Sequence, residues 1–486
     1  MLQSENIKNL SELNQAFVDK HKKAEFFLGF IDILKLGKFH AIFSSAKTKG
    51  IVSVLLIRIL ITFPFIDQKN VWSFTNSYWN GIFNYGKDAY YRLKNNEKIN
   101  WRSFLFAVTR QLLHTLSKQQ VSKENDDSGT IKAFIFDDTV ITKTSDKTEG
   151  VSKIWNHVIQ KHVLGYVLLV MGYYNGSVFI PVDFSFHREK GKNKKRPFNL
   201  KPSHLKKQFR KSRDKNTAGY QRKKELDSSK IKSMVKMLKQ AISHGIDAQY
   251  VLTDSWFTCW ETVQAAIENN LNYIGMFSKV KTRFIYESKS YNYKQIKKLN
   301  RTKVKRNKRY NLYYIRTVVL WNNRPIALYF TRKGKQGKWK TLINTDLSAS
   351  FNDTIAIYQI RWSIEVFFRE CKQSLQLGKC QSKNFDAQIA DTTITFIQYQ
   401  FLAIRNQLDR YESIGELMRS TKAERLELKL HQRLIALLIS IAEHLDNLFE
   451  GLDNDSLVSK LIYDENVFRQ VMTLLELENQ QHGQAA

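Results

Sequence analysis

Two apolar runs that stop on aspartate constrain this chain more than any other feature. Ile131-Lys-Ala-Phe-Ile-Phe-Asp137-Asp138-Thr139 and Tyr250-Val-Leu-Thr-Asp254 are short, aliphatic and aromatic, which is the signature of buried strands. Each predicts a strand inside a sheet with a carboxylate at its tip, strand one ending at Asp137. Aspartate also ends strands and caps helices for structural reasons, so either run alone says little about chemistry. Their surroundings supply the frame. Val163–Phe186 reads as two strands joined at Asn175-Gly176, a hairpin signal. Ser228–His244 has the period of an amphipathic helix stopped by Gly245. Tyr250–Thr253 is then a strand, a helix follows from Phe257 to Glu268, and Leu271–Phe277 is a further strand. The result is a β-β-β-α-β-α order with acids after strands one and four, an α/β class.

A third stretch, Tyr358-Gln-Ile-Arg361-Trp-Ser-Ile-Glu365-Val-Phe-Phe-Arg-Glu-Cys-Lys372, is predicted to be helical. At about 100° per residue, Arg361, Glu365 and Lys372 fall at about 300°, 340° and 320° from Tyr358, on one stripe. Arg369 lies on the same arc, at about 20°. An Arg–Glu pair four apart is also an ordinary solvated helix contact. A carboxylate flanked by two cations and a phenol, however, suits metal-assisted chemistry on a phosphate backbone, and the two strand-end acids supply partners for it.

Asp137, Asp254 and Glu365, with the spacing Tyr-x2-Arg-x3-Glu-x6-Lys, resemble the DDE transposases of bacterial insertion sequences, in the branch defined by that signature. The resemblance covers residues 131 to 385, and the acids are 117 and 111 residues apart. It implies a ribonuclease-H-like mixed-sheet core with an inserted mostly β domain between the second Asp and the Glu, flanked by helical N- and C-terminal regions. The corresponding divisions are 1–121, a helical DNA-binding region; 131–278 and 341–385, the two parts of the catalytic core; 279–340, the insertion; and 386–486, a helical region suited to dimerisation. It further implies that Asp137, Asp254 and Glu365 are catalytic and hold Mg²⁺ or Mn²⁺, two ions in all. Water would nick the element's end and the freed 3′-OH would attack the opposite strand or a target. Tyr358, Arg361, Lys372 and Arg369 would contact DNA phosphates, and Trp339 would stack on a flipped base, although a core role in the insertion suits Trp339 equally. Trp256 is expected to pack. Alternation along a strand sends Asp137 and Asp138 to opposite faces. The family's pattern places the ligand at Asp137 and leaves Asp138 to cap or orient. A nuclease or resolvase without strand transfer, and a transposase-derived DNA-binding repressor, are the alternatives.

Charge points to the same class of partner, nucleic acid, which the resemblance makes double-stranded DNA. The chain carries 77 Lys+Arg against 45 Asp+Glu, a formal net charge of +32, and such a field favours polyanions. It is concentrated in Arg188–Lys224, with 16 basic and 2 acidic residues, and Lys279–Arg309, with 13 basic and 1 acidic. Both are expected to track phosphate, the first as a loose loop when DNA is absent. The aromatic and basic segment Asn80–Trp101, within a helical region that includes Ala16–Leu36 and Trp101–Leu116, is the candidate reader of the element's ends. Three cysteines without a CxxC pair argue against a disulfide framework or a zinc site. The start lacks a signal-peptide profile, and Ile51–Phe65 is too short to span a bilayer comfortably. A reduced, cytosolic setting with no membrane partner is expected, which the resemblance makes a bacterial cytoplasm with nucleoid association.

Overall fold

The computed structural model describes residues 42–43, 53–66, 68–77, 85–121 and 130–409. The sequence also reads as a helix at Ala423–Leu448 and as a polar linker at Lys123–Gly129; both, with the predicted helix at Ala16–Leu36 and the candidate dimerisation region beyond 409, lie outside those residues.

The sheet is organised on β1 (Ala133–Thr142). Its first half, Ala133–Phe136, is fully buried and follows the apolar run that predicted it. The strand does not stop at Asp137, however. Antiparallel pairing with β3 (Lys161–Tyr174) continues through Thr142, after a short β2 (Ser152–Asn156) that also pairs with β3. What stops near Asp137 is the other partner. The parallel pairing with β5 (Tyr250–Thr253) covers Ala133–Phe136 only. β3 turns at Asn175-Gly176 into β4 (Phe179–His187), with Gly176 at φ 103° and the Asn175 side chain accepting from the Ser177 and Val178 amides at 3.1 and 2.9 Å. β5 lies parallel to β6 (Asn272–Met276). The order β4-β3-β1-β5-β6 is consistent with a ribonuclease-H-like core.

Beyond β6 the same sheet continues through residues 284–344. β7 (Phe284–Tyr286), β8 (Lys289–Tyr291), β9 (Lys305–Asn307), β10 (Leu312–Trp321), β11 (Arg324–Lys333) and β12 (Lys340–Asn344) bring it to twelve strands. β12 joins them antiparallel to β6. The β10–β11 turn is Asn322-Asn323, both at positive φ (48° and 62°), which a tight hairpin requires and asparagine tolerates.

Among the described residues the helices, in chain order, are α1 (Ser53–Thr62), α2 (Val71–Thr75), α3 (Lys87–Lys94), α4 (Trp101–Val121), α5 (Pro202–Lys207), α6 (Ala218–Glu225), α7 (Lys230–Ser243), α8 (Trp260–Glu268), α9 (Tyr293–Leu299), α10 (Phe351–Gln359), α11 (Trp362–Ser374) and α12 (Phe385–Asp409). On one face α7 buries Met234, Met237 and Leu238 in a cluster with Phe134, Phe136 and Leu169. On the other, α4, α11 and α12 approach β4, and Phe367 meets Phe396 edge-on at 5.2 Å. The apolar α1 is a core helix. It packs on α12, whose Gln398 donates to the Leu60 carbonyl at 3.0 Å. No helix among the described residues is long and apolar enough to cross a membrane.

The first basic run is not a loose loop. Arg213 forks onto Glu149 (2.7 Å) and Asp386 (2.9 Å), all three side chains at most 5% exposed. Lys211 bridges Glu97 and Asp386 at 3.0 and 2.8 Å. Lys223 pairs with Glu149, Arg222 with Glu225, and Arg188 with Asp227. Five of that run's cations therefore hold it to acids that lie elsewhere or close by in the chain. Truncating one partner of a buried pair leaves the others uncompensated, which costs about 3–5 kcal/mol. Arg213→Ala is accordingly expected to lower the denaturation midpoint sharply, and an unchanged urea or thermal midpoint would show that Glu149 and Asp386 do not depend on it.

Candidate active site

Strand register brings the first two acids together. Phe136 stands opposite Thr253 in the parallel pair, so the next residue of each strand, Asp137 and Asp254, emerges side by side where that pairing ends. The carboxyl ends of parallel strands are where α/β sheets place their sites. Burial and the nearby Asp254 charge push the Asp137 carboxyl up to about 7, against an ordinary 3.8. Burial also raises Asp254. One oxygen of each is used locally. Asp137 Oδ1 accepts from the Asp138 amide at 2.8 Å, and Asp254 Oδ1 accepts from the Trp256 and Phe257 amides at 2.9 and 3.2 Å.

The third acid comes from a broken helix. One continuous helix was expected from Tyr358 to Lys372; instead α10 ends at Gln359 and α11 begins at Trp362. Ile360 and Arg361 stay right-handed, but the amides of Ile360, Arg361, Ser363 and Ile364 bond carbonyls three residues back, a tightened 3₁₀-type joint. The joint keeps the stripe together. Arg361 Nη2 donates to Glu365 Oε1 at 2.6 Å and Nη1 to Asp137 Oδ2 at 3.2 Å. Its guanidinium lies 5.7 Å from the centre of the Tyr358 ring. Burial, above all, pushes the Tyr358 phenol up to about 12, and the charges of Asp254 and Asp137 act in the same direction. Arg361 thus ties the helix acid to the strand acid.

Lys372, two turns on, donates to Thr139 Oγ1 of β1 at 2.6 Å, and burial lowers its pKa. Arg369 is exposed. Lys143 donates to the Gly378 and Cys380 carbonyls at 2.8 and 3.0 Å, a structural tie. Trp339 is not among these groups' contacts. It lies half-buried against the hydrophobic cluster, with Arg332 4.6 Å and Lys297 5.8 Å from its ring centre.

Two residues at the site were not singled out as functional by the sequence. Lys230, at the start of α7, pairs with Asp138 Oδ2 and sets its ammonium 3.7 Å from the ring centre of Trp256. Trp256, expected to pack, is 48% exposed. Helix-start lysines are common and exposure has no sequence signature, so no motif would have found either.

The donor set fits a divalent cation: two partly buried carboxylates emerge side by side, the Asp254 charge makes Asp137 costlier to ionise, and oxygen ligands suit Mg²⁺ or Mn²⁺. Among the described residues no group of three Asp, Glu, His or Cys is gathered closely enough to hold one ion. Glu365 is instead engaged by Arg361.

Residues 84–307 match the family model described as DDE superfamily endonuclease, and residues 223–401 match the one described as Transposase DDE domain. The first match contains Asp137 and Asp254, the second Asp254 and Glu365. Together they support a DDE transposase. No curated protein matches the chain.

The raised Asp137 carboxyl has a consequence for stability. A carboxyl that holds its proton more tightly in the fold stabilises below its unfolded pKa, and that contribution is lost as pH rises through about 7. In EDTA, Asp137→Asn is therefore expected to be more stable than the parent at about pH 8 and indistinguishable from it near pH 4. Urea titrations at both values measure this, and a variant less stable at the higher pH would contradict it.

Proposed function

We propose that this protein is a transposase of the Tyr-Arg-Glu-Lys branch. It binds the ends of its own element, cleaves DNA by metal-dependent phosphodiester hydrolysis and joins the 3′-OH to target DNA. The observation that carries the reading is the pairing of Asp137 and Asp254 through strand register, with Glu365 linked to Asp137 through the Arg361 fork.

Asp137, Asp254 and Glu365 would hold two Mg²⁺ or Mn²⁺ ions, whose charge offsets that on the entering and leaving oxygens of an in-line displacement. The protein's own groups do the rest. Asp254 is fixed by two backbone amides and Asp137 by one, so neither has to be ordered during the reaction. Lys230 occupies Asp138, which leaves Asp137 as the ligand. Arg361 offers a planar fork that matches phosphate as well as carboxylate, so a bound DNA strand competes for it with Asp137 and Glu365. Tyr358 remains a neutral donor, and Lys372, with Arg369 beyond it, adds positive charge on the same face.

Duplex DNA is the partner, at element ends and target, with a homodimer acting in the complex. Phosphate tracking falls to residues 279–340 rather than to the first basic run. Of the 13 cations in Lys279–Arg309, 11 are exposed, and none forms an ion pair with a described residue, whereas five in Arg188–Lys224 are tied internally. Trp339, between Arg332 and Lys297, belongs to that basic surface. The N-terminal helices would read the element's ends, and the host compartment would be a bacterial cytoplasm.

The decisive assay is Mg²⁺-dependent nicking and joining on the element's own end, wild type beside Asp137→Ala and Glu365→Gln. Nicking and joining by wild type alone is expected, with DNA binding retained in both variants. Cleavage without joining would indicate a nuclease, and activity surviving in Asp137→Ala would move the ligand to Asp138. Replacing Lys305, Arg306 and Arg309 by Gln is expected to reduce the slope of log K against log salt by about 3. An unchanged slope would place the DNA elsewhere.

A further inference from the structure

Two aliphatic side chains stand in water at the tip of a hairpin. Val158 is 91% exposed and Ile159 52%, at the turn between β2 and β3. The turn is fixed from within. Asn156 Oδ1 accepts from the amides of both residues, at 2.9 and 3.4 Å, and Gln160 Nε2 donates to the His157 carbonyl at 2.7 Å. Below it, Trp155 stands opposite His162, their rings edge-on with centroids 5.1 Å apart. The hairpin also projects. β2 pairs with Lys161–Gly165, and of these only Gly165 reaches β1, at its last residue, Thr142.

The chemistry around the tip is cationic. The first basic run is tied down at Arg188 and from Lys211 onward, which leaves residues 190–196 out. All five cations there are exposed, and none forms an ion pair with a described residue. The loop is held beside β2. The Phe198 amide closes it on the Lys190 carbonyl at 2.6 Å, Asn199 Nδ2 donates to the Lys153 carbonyl at 3.0 Å, and the Glu189 amide donates to Ser152 Oγ at 3.1 Å. Lys153 and Lys161 are exposed on the hairpin itself, and neither 151–163 nor 190–201 contains an acid. A second copy of this chain would bring like charge to this corner, whereas a polyanion complements it.

We propose that the β2–β3 tip is a wedge for the minor groove of duplex DNA, with residues 190–196 on the flanking phosphates. Valine and isoleucine side chains carry no donor or acceptor, so they read no base edge. What an aliphatic tip can do is part a base step from the minor groove and bend the duplex, by about 20–90°. Val170, opposite Asp137, lies nine residues along β3 from Lys161 (170 − 161), or about 30 Å at about 3.3 Å per residue. The bent segment is therefore a different stretch of DNA from the phosphodiester at the acids. The inference rests on the DNA-binding part of the reading above, and its test needs no cleavage.

The experiment uses the full chain in EDTA with a mixed-sequence duplex carrying a donor and an acceptor dye at its two ends. Wild type is expected to raise energy transfer at saturation, as the ends approach. Val158→Ser with Ile159→Ser should lose that rise and keep the wild-type salt slope, because no phosphate contact is removed. Val158→Met with Ile159→Met keeps an apolar tip and should bend the duplex as wild type does. Replacing Lys192, Lys194 and Lys195 by Gln should reduce the slope of log K against log salt by about 3. A Ser variant that bends the duplex fully, a wild type that leaves it straight, or an unchanged slope in the Gln variant would each overturn the proposal. So would a Ser variant altered only in its oligomeric state, which would make the tip a contact between copies. Should the Ser pair fail to fold, Ile159→Ala alone is read in the same way. Failure of the transposase reading shows separately, as wild-type protein that bends the duplex but does not nick DNA with Mg²⁺.

Discussion

Everything at this site depends on one register step in the sheet. Because Phe136 is paired with Thr253, two aspartates separated by 117 residues leave adjacent strands at the same level. A slip of one residue would send one of them to the opposite face. The apolar residues before each acid prevent that slip: Phe134, Phe136, Val251 and Leu252 are all fully buried. The hydrophobic core thus holds together two like charges that would otherwise separate. Asp137 shows the strain of that arrangement in its raised carboxyl.

Positive charge is divided between two tasks that composition alone cannot separate. One part is internal: Arg213 among Glu149 and Asp386, and Arg102 among Asp183 and Glu225 at 2.8 and 2.6 Å, join segments far apart in the chain. The other part lies on the strands and loops of 279–340, whose most basic stretch, Lys279–Arg309, has one acidic residue, Glu287, and no cation ion-paired with a described residue. Burial distinguishes the tasks. Arginines whose charge is matched inside the fold have little left for a polyanion, whereas exposed cations with no acid beside them among the described residues would keep theirs.

Much of this was legible in the sequence. The runs before Asp137 and Asp254 announced buried strands because short apolar stretches bounded by polar residues have few other uses. Asn175-Gly176 announced a hairpin, and the Tyr-Arg-Glu-Lys spacing gathered its residues on one face. Three features were not legible. β1 runs past Asp137 because β3 pairs with it over its whole length, a tertiary preference that local pattern does not carry. The signature helix breaks at Ile360-Arg361 without proline or glycine to mark it. The basic run of 188–224 looked like a solvated loop because its acids, Glu97, Glu149 and Asp386, lie outside it.

The ambiguity between Asp137 and Asp138 shows how a single contact can give adjacent identical residues different chemistry. Both follow the same apolar run, and strand alternation turns them to opposite faces. Asp138 meets the start of α7, where Lys230 neutralises it. Asp137 faces Asp254 and the tip of the Arg361 fork, where its charge is opposed by a neighbouring acid and only partly met by a shared arginine. A divalent cation is drawn to the carboxylate whose charge is least satisfied. On the function proposed above, the lysine on α7 would select between the two aspartates, although it contacts only Asp138.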